Sequence, residues 1–299
     1  MNKRTFLKSL VAAGCVAAFS LGSFSSACAE EFREVTVGVV GDYVAQWDTV
    51  NELLAPEKIR VKLIKYSDYA TPNRALADGE IDLNAFQHKA YLANDIERNG
   101  YKIVSIGDTL LTPLRIYNNK EKIKSLSDFK DGDIIAIPSD LTNGGRAIKL
   151  LEAAGLIKVD PAKGYVPTKL DITEYKVKIK IREAESGILA RLLPDVAAAI
   201  ILANILPDCA AAIINGGNAY TAGLDAFSDS IFSEDLNPST NPQVAQLVNI
   251  IAAREADKDN PIYQKVVQAY QTHETATTLM KAYKGAYTPA WKGAEKYTY

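Results

Sequence analysis

Residues 78–92 read DGEIDLNAFQHKAYL. A short apolar segment, Glu80 to Asn84, runs straight into Phe86, Gln87, His88, Lys89 and Tyr91. Aromatic and hydrogen-bonding groups crowded at the end of a buried strand are costly in a core. They suit a pocket mouth, where an apolar wall carries a few polar groups aimed at one spot. This stretch therefore predicts a strand whose carboxyl end grips a small ligand.

The pattern around it alternates between two periods. Upstream, Val35 to Val40 (VTVGVV) is a β-branched strand broken by Gly41-Asp42-Tyr43, and Val44, Trp47, Val50, Leu53 and Leu54 fall on one helical face. Ile59 to Tyr66 alternates as a second strand, and Asn73 to Asp78 is a short helix. Downstream, the helix over Ala90–Arg98 stops at Asn99-Gly100, a C-cap signal, and strands follow at Ile103–Ile106 and Leu114–Tyr117. A second unit repeats the order. It has strands at Ile134–Ile137, Lys176–Ile181, Cys209–Ile214 and Val248–Ala253, and a helix at Thr142–Ala154. Two closing helices lie near Ile262–Gln271 and His273–Tyr283.

Strands alternating with helices predict an α/β protein with mainly parallel sheets flanked by helices. Each unit places a polar, Gly-rich loop after a strand, where ligands of such folds bind. Two such sheets facing each other make a cleft. No Pro- or Ser-rich linker separates them, so more than one strand is expected to cross between the halves. Leu114–Tyr117 and Val248–Ala253 are the candidates for this hinge. The expected division is residues 30–114 with 249–299 as one lobe and 115–248 as the other.

At 299 residues, with 47% hydrophobic and 23% charged content, the chain has the composition of a globular protein. A net charge of −2 offers no basic field for nucleic acid. Residues 1–29 read as a signal peptide: Lys3, Arg4 and Lys8, an apolar run over Leu10–Leu21, then Ala27-Cys28-Ala29 before Glu30. The run is too short to span a membrane, so the protein is expected to be exported. Two readings of the leader stand. Cleavage after Ala29 leaves Cys209 as the sole cysteine, with no internal disulfide. Alternatively, a relaxed lipobox at Cys28 or Cys15 anchors the chain to lipid.

One local repeat is visible. Leu193-Pro194-Asp195 followed by VAAAI recurs as Leu206-Pro207-Asp208 followed by CAAAI. A period this short, with two copies, is no solenoid. Only one copy fits a buried strand.

Several residues are suited to chemistry. Thr142-Asn143-Gly144-Gly145-Arg146 opens a helix after a strand, where free N–H groups and the helix dipole favour an anion and Arg146 adds a planar fork for a carboxylate. His88 stands between Phe86 and Tyr91 and reads either as a ligand contact or as a buried histidine satisfying a backbone group. Tyr66, Tyr69, Phe86 and Tyr91 read either as core or as an aromatic box for an aliphatic or thioether chain. Asn215 and Asn249 each offer a donor and an acceptor, the pair an α-amino and α-carboxylate group needs, or serve as turn and backbone partners. No GxSxG, P-loop, HExxH or GxGxxG motif is present, and no His/Cys/carboxylate spacing fits a metal. No catalytic residue, metal or cofactor is assigned, and a purely binding function gains weight.

Five stretches resemble the methionine-binding lipoproteins of ATP-binding-cassette importers, the NlpA/MetQ family. They are SDYATPNRALADGEIDLNAFQHKAYL (67–92), GYKIVSIGDTLLTPLRIY (100–117), PSDLTNGGRAIKLLEAAGLI (138–157), AAIINGGNAYTAGL (211–224) and VNIIAARE (248–255). The resemblance implies a two-lobed periplasmic binding protein, a monomer, that closes on L-methionine or a related amino acid. It would present that ligand to a membrane permease and its ATPase, at the periplasmic or outer face of the cytoplasmic membrane. By motif, Tyr69, Phe86, His88 and Tyr91 would come from the first lobe, Asn143, Arg146 and Asn215 from the second, with Asn249 at the hinge. Arg146 would hold the α-carboxylate, Asn215 and Asn249 the carboxylate and ammonium ends, and the aromatics with His88 the thioether. This chain has Ala90 where the family has Pro, and one extra residue after Asn215 makes Asn218 an alternative to Asn215. Another amino acid or a dipeptide as ligand, an enzyme using His88 as base, and a surface interaction module are the competing readings.

Overall fold

The computed structural model describes residues 32–164, 166–193 and 209–297. The leader, Cys15, Cys28 and all but Leu193 of the first repeat copy lie outside them.

In chain order the first elements are β1 (Arg33–Val40), α1 (Ala45–Leu54), β2 (Ile59–Tyr66), α2 (Thr71–Ala77), β3 (Leu83–Asn84), α3 (Lys89–Asn99), β4 (Ile103–Asp108) and the short β5 (Leu110–Leu111). The chain then enters β6 (Arg115–Asn118), β7 (Ile134–Pro138), α4 (Leu141–Ala153), β8 (Ile157–Val159), β9 (Ile172–Tyr175), β10 (Lys180–Ala184), β11 (Cys209–Ile214), α5 (Gly216–Thr221) and β12 (Ser230–Ser233). It ends with α6 (Val244–Leu247), β13 (Ile250–Arg254), α7 (Pro261–Tyr270), α8 (His273–Ala282) and β14 (Thr288–Pro289).

Two five-stranded sheets result, ordered β2-β1-β3-β13-β4 and β10-β7-β11-β6-β12. Each is mainly parallel, as expected, with four strands running one way and a single strand running against them. In the first, β1 runs parallel to β2 and β3, but β13 is antiparallel to β3 and β4. In the second, β7 runs parallel to β10 and β11, but β6 is antiparallel to β11 and β12. The physical reason is the crossing. The chain passes to the second sheet after β5 and returns after β12, and a strand arriving from the other sheet enters against the local direction.

Each sheet is buried on both faces, which explains the long apolar runs. Ile251 and Ala253 pack with Val35, Val37, Trp47 and Val266 under α1 and α7, while their neighbours Ile250 and Ala252 point the other way to Leu76 and Leu92. The same alternation in β7 sends Ile135 and Ile137 to α4 and Ala136 to the opposite cluster with Leu189 and Ile214. Truncating one of these, such as Ile137→Ala, is expected to cost about 2–5 kcal/mol. The second repeat copy supplies β11, buried along its whole length.

Several boundaries differ from the sequence reading, and the strand expected over Glu80–Asn84 forms only at Leu83–Asn84. Lys176–Ile179 is a turn whose first two N–H groups bond Leu156, so the alternating strand begins only at Lys180. The preceding β9 pairs with β8 as a small separate hairpin that periodicity did not show. Val248 and Asn249 precede β13 and belong to the returning segment. Among the described residues no helix is long and apolar enough to cross a membrane.

Candidate functional site

Helices α3 and α4 start at one cavity, and each is capped by a side chain that also shapes it. His88 is the N-cap of α3: its Nδ1 accepts the Tyr91 N–H at 3.0 Å. The ring proton is thereby confined to Nε2, which lies 3.2 Å from Asn143 Oδ1. Burial, reinforced by the Arg146 charge, pulls the His88 pKa from 6.5 down to about 3, against an opposing contribution from the Asn143 hydrogen bond. The imidazole is neutral at any ordinary pH and acts as a hydrogen-bond donor.

Asp140 caps α4. Its Oδ1 accepts the Asn143 N–H at 2.9 Å, and both carboxylate oxygens accept from Asn143 Nδ2 at 3.1 Å. The Asn143 amide is thus locked with its oxygen facing the cavity. Arg146, one turn on, shares that face. Asn143 Oδ1 accepts from His88 Nε2, from Arg146 Nη1 at 3.2 Å and from Asn215 Nδ2 at 2.9 Å. A carbonyl oxygen has two lone pairs, so three donors converge on a point that over-supplies one acceptor.

The Arg146 guanidinium is fixed on its inner edge by Glu234, with Nε to Oε1 at 3.1 Å and Nη2 to Oε2 at 2.5 Å. Both side chains are buried, 6% and 11% exposed. Nη2 also reaches the Thr112 carbonyl at 3.4 Å.

The aromatic wall sits opposite. Tyr69, Phe86 and Tyr91 have ring centroids 5.8–6.0 Å apart, and the Tyr91 hydroxyl donates to the Tyr69 carbonyl at 3.0 Å. Beyond β3 the chain leaves the strand, and Phe86 and His88 face this cavity while the Asn84 and Gln87 amides join Asn73 in a buried network. That network anchors the strand end from behind.

The eight residues assigned to the site by motif all line this one cavity: Tyr69, Phe86, His88, Tyr91, Asn143, Arg146, Asn215 and Asn249. Of the two asparagines after β11, Asn215 reaches it. Asn218 instead donates to the Tyr69 hydroxyl at 3.1 Å and to the Ser186 carbonyl at 3.0 Å. Tyr66 packs at the edge of another cluster, away from the cavity. Sequence reasoning did not assign Tyr43, Gln87, Leu110, Thr112, Gly217 and Tyr287 to the lining, nor Glu234 behind Arg146. Tyr43 had a signal, its place in a loop just after β1. Glu234 and Tyr287 had none.

The enclosed free volume is about 30 Å³, room for about two waters. Two buried atoms in its wall have no hydrogen-bond partner among the described residues, Asn215 Oδ1 and the Tyr287 hydroxyl. Neither is stable dry, so both mark where a ligand or solvent atom belongs. Among the described residues no cluster of His, Cys, Asp or Glu fits a metal ion.

The profile of one sequence family, described as NlpA lipoprotein, matches residues 35–206 and 199–291. The chain belongs to the NlpA lipoprotein family. The two matched spans of the NlpA profile overlap over residues 199–206, inside the duplicated segment. Outer membrane lipoprotein 3 of Mannheimia haemolytica is 40% identical over 95% of this chain and 100% of its own length. The D-methionine-binding lipoprotein MetQ of Salmonella typhimurium is 38% identical over 91% and 95%. Among solved structures, a nutrient binding protein from Burkholderia cenocepacia bound to methionine superposes with a TM-score of 0.75 at 35% identity, covering 86% of this chain and all of that one. The two-lobed α/β architecture expected from the NlpA resemblance is the one observed.

Proposed function

We propose that this protein is an extracytoplasmic solute-binding protein that captures methionine between two lobes and delivers it, unchanged, to an ATP-binding-cassette permease. The observation that carries the reading is the convergence of His88 Nε2, Arg146 Nη1 and Asn215 Nδ2 on Asn143 Oδ1. Donors from both sheets meet where one amide oxygen is too few, and a carboxylate oxygen arriving there relieves the excess.

In this reading Arg146 offers its outer edge to the α-carboxylate, since Glu234 occupies the inner one. The unpartnered Asn215 Oδ1, with Asn249, accepts from the ammonium. Tyr69, Phe86 and Tyr91 enclose the side chain, and a thioether suits their edges. The lobes, residues 30–114 with 249–299 and residues 115–248, turn about the crossings at 109–114 and 234–249. The small cavity means the walls must part to admit an amino acid, and ligand contacts to both lobes then favour the closed state. The leader and the family's lipoprotein relatives support export and attachment through Cys28 or Cys15, which mass spectrometry of the mature N-terminus distinguishes from simple cleavage.

The test is calorimetric titration of unfolded, dialysed and refolded protein with L-methionine, D-methionine and a panel of other amino acids. The expected result is one-to-one binding of a methionine enantiomer in the micromolar range or tighter, the order for several charged hydrogen bonds in a closed site. Absence of amino-acid binding in that range contradicts it. Because relatives carry the name D-methionine-binding, the enantiomer preference is read from the same titration.

A further inference from the structure

Beside the cavity described above lies a larger one of about 260 Å³, which no part of the proposed transport role uses. Thr112, Gly216 and Tyr287 wall it from the site, and a Cβ on Gly216 would meet Thr112 Oγ1. Its base is strand β6. Leu114 and Ile116 turn into the core, so Arg115 and Tyr117 turn the other way, into this space.

Arg115 is the unusual group. Its side chain makes no hydrogen bond or ion pair among the described residues; the guanidinium lies over the Phe227 ring, 5.0 Å from the centroid. The carboxylates nearby are already engaged. Asp225 pairs with Lys284 at 3.1 Å and accepts the Phe227 and Ser228 N–H groups, and Asp229 pairs with Lys120 at 2.5 Å. Burial holds the Arg115 pKa below its ordinary value, and the nearby Tyr117 and Asp225, which push it up, offset this only in part. A half-buried cation left unpaired in a cavity is costly unless something uses it. Three tyrosines form much of the remaining wall: Tyr220 and Tyr283 meet edge to face at 4.8 Å, and Tyr283 and Tyr287 are tilted at 4.5 Å, while the paired Asp225 and Lys284 also line the cavity.

We propose that this cavity is a second small-molecule site, taking an organic carboxylate with an aromatic or aliphatic body, its anion on Arg115 and its body among Tyr117, Tyr220 and Tyr283. A planar guanidinium fits a carboxylate with two parallel hydrogen bonds, and the aromatic lining rejects a fully hydrated anion such as inorganic phosphate.

The experiment is calorimetric titration of the whole mature protein, saturated with methionine, with 3-phenylpropionate, 3-phenylpropanamide and inorganic phosphate. Saturable one-to-one binding of the carboxylate is expected, with Kd millimolar or tighter for a ligand of this size. The amide and the variant Arg115→Met should each bind at least tenfold more weakly, and phosphate not measurably. An unchanged melting temperature of Arg115→Met shows that its fold is intact, and Arg115→Lys should recover part of the binding. No saturable binding of the carboxylate, equal binding to Arg115→Met, displacement by excess methionine, or phosphate binding as strong as the carboxylate's each overturns the proposal.

Discussion

Arg146 and Glu234 form a buried, two-bond ion pair that joins helix α4 to both segments crossing between the sheets. Glu234 lies on the returning segment, and its Oε2 also accepts the Leu114 N–H of the outgoing one at 3.0 Å. The Arg146 Nη2 reaches the Thr112 carbonyl on that same outgoing segment. The group proposed to bind the ligand's carboxylate is therefore bonded to the segments about which the lobes would turn. A ligand charge at the guanidinium changes the balance of these bonds, which gives binding a direct route to closure.

Removing the countercharge leaves a buried cation alone. Glu234→Ala is expected to lower the stability of the ligand-free protein by about 3 kcal/mol, within the usual cost of breaking a buried pair. Urea denaturation checks this. A loss under about 0.5 kcal/mol would match an exposed pair instead and contradict the buried geometry.

His88 sets a pH dependence of stability. Its folded pKa is depressed from 6.5 to about 3, so the unfolded chain binds the proton more tightly. The contribution of His88 is complete above pH 6.5 and declines as pH falls toward 3, by up to about 1.4 kcal/mol per pH unit. Denaturation of wild type and His88→Gln between pH 7 and 4 should show a slope shallower by about one proton in the variant. Since His88 stays neutral throughout, methionine affinity should be flat between pH 5 and 8; a midpoint near pH 6.5 would contradict a buried, neutral imidazole.

Gly217 tests closure separately from folding. A Cβ there would fall 2.5 Å from the Tyr43 ring, across the cavity mouth. Alanine is otherwise favoured over glycine in a helix by roughly 1 kcal/mol. Gly217→Ala should therefore melt no lower than wild type yet bind methionine at least tenfold more weakly, and small-angle scattering with ligand should show a more open molecule. Unchanged affinity would mean that this contact plays no part in closing.

Phe86 tests the side-chain wall. Phe86→Ala removes one ring of the aromatic triangle and is expected to weaken methionine by about 1.5–3 kcal/mol, the worth of a fully buried Phe side chain. Alanine, whose side chain does not reach the ring, should lose far less. Equal losses for both amino acids would place Phe86 in a structural role.

The sequence showed what local pattern can show. The residues after β3 and at the start of α4 announced the site because strand alternation and helix capping act over a few positions: His88 and Asp140 cap their helices, and Asn143 and Arg146 follow one turn apart. Two kinds of feature were invisible. Strand direction in β6 and β13 depends on how the chain crosses, which periodicity does not record. Glu234 meets Arg146 across 88 positions, and Tyr287 enters the wall from the C-terminal segment. Lys176–Ile181 misled because its alternation was real, but its first residues were drawn into a turn against Leu156.

The most direct measurement compares L-methionine with L-methioninamide, which keeps the side chain and ammonium but carries no anion, in calorimetric titration of the refolded wild-type protein. If Arg146, His88 and Asn215 hold a carboxylate, the amide should bind at least a hundredfold more weakly, about 2.7 kcal/mol, within the range for losing one partner of a buried charge pair. Equal affinity for the two compounds would remove the carboxylate from the cavity and with it the role assigned to Arg146.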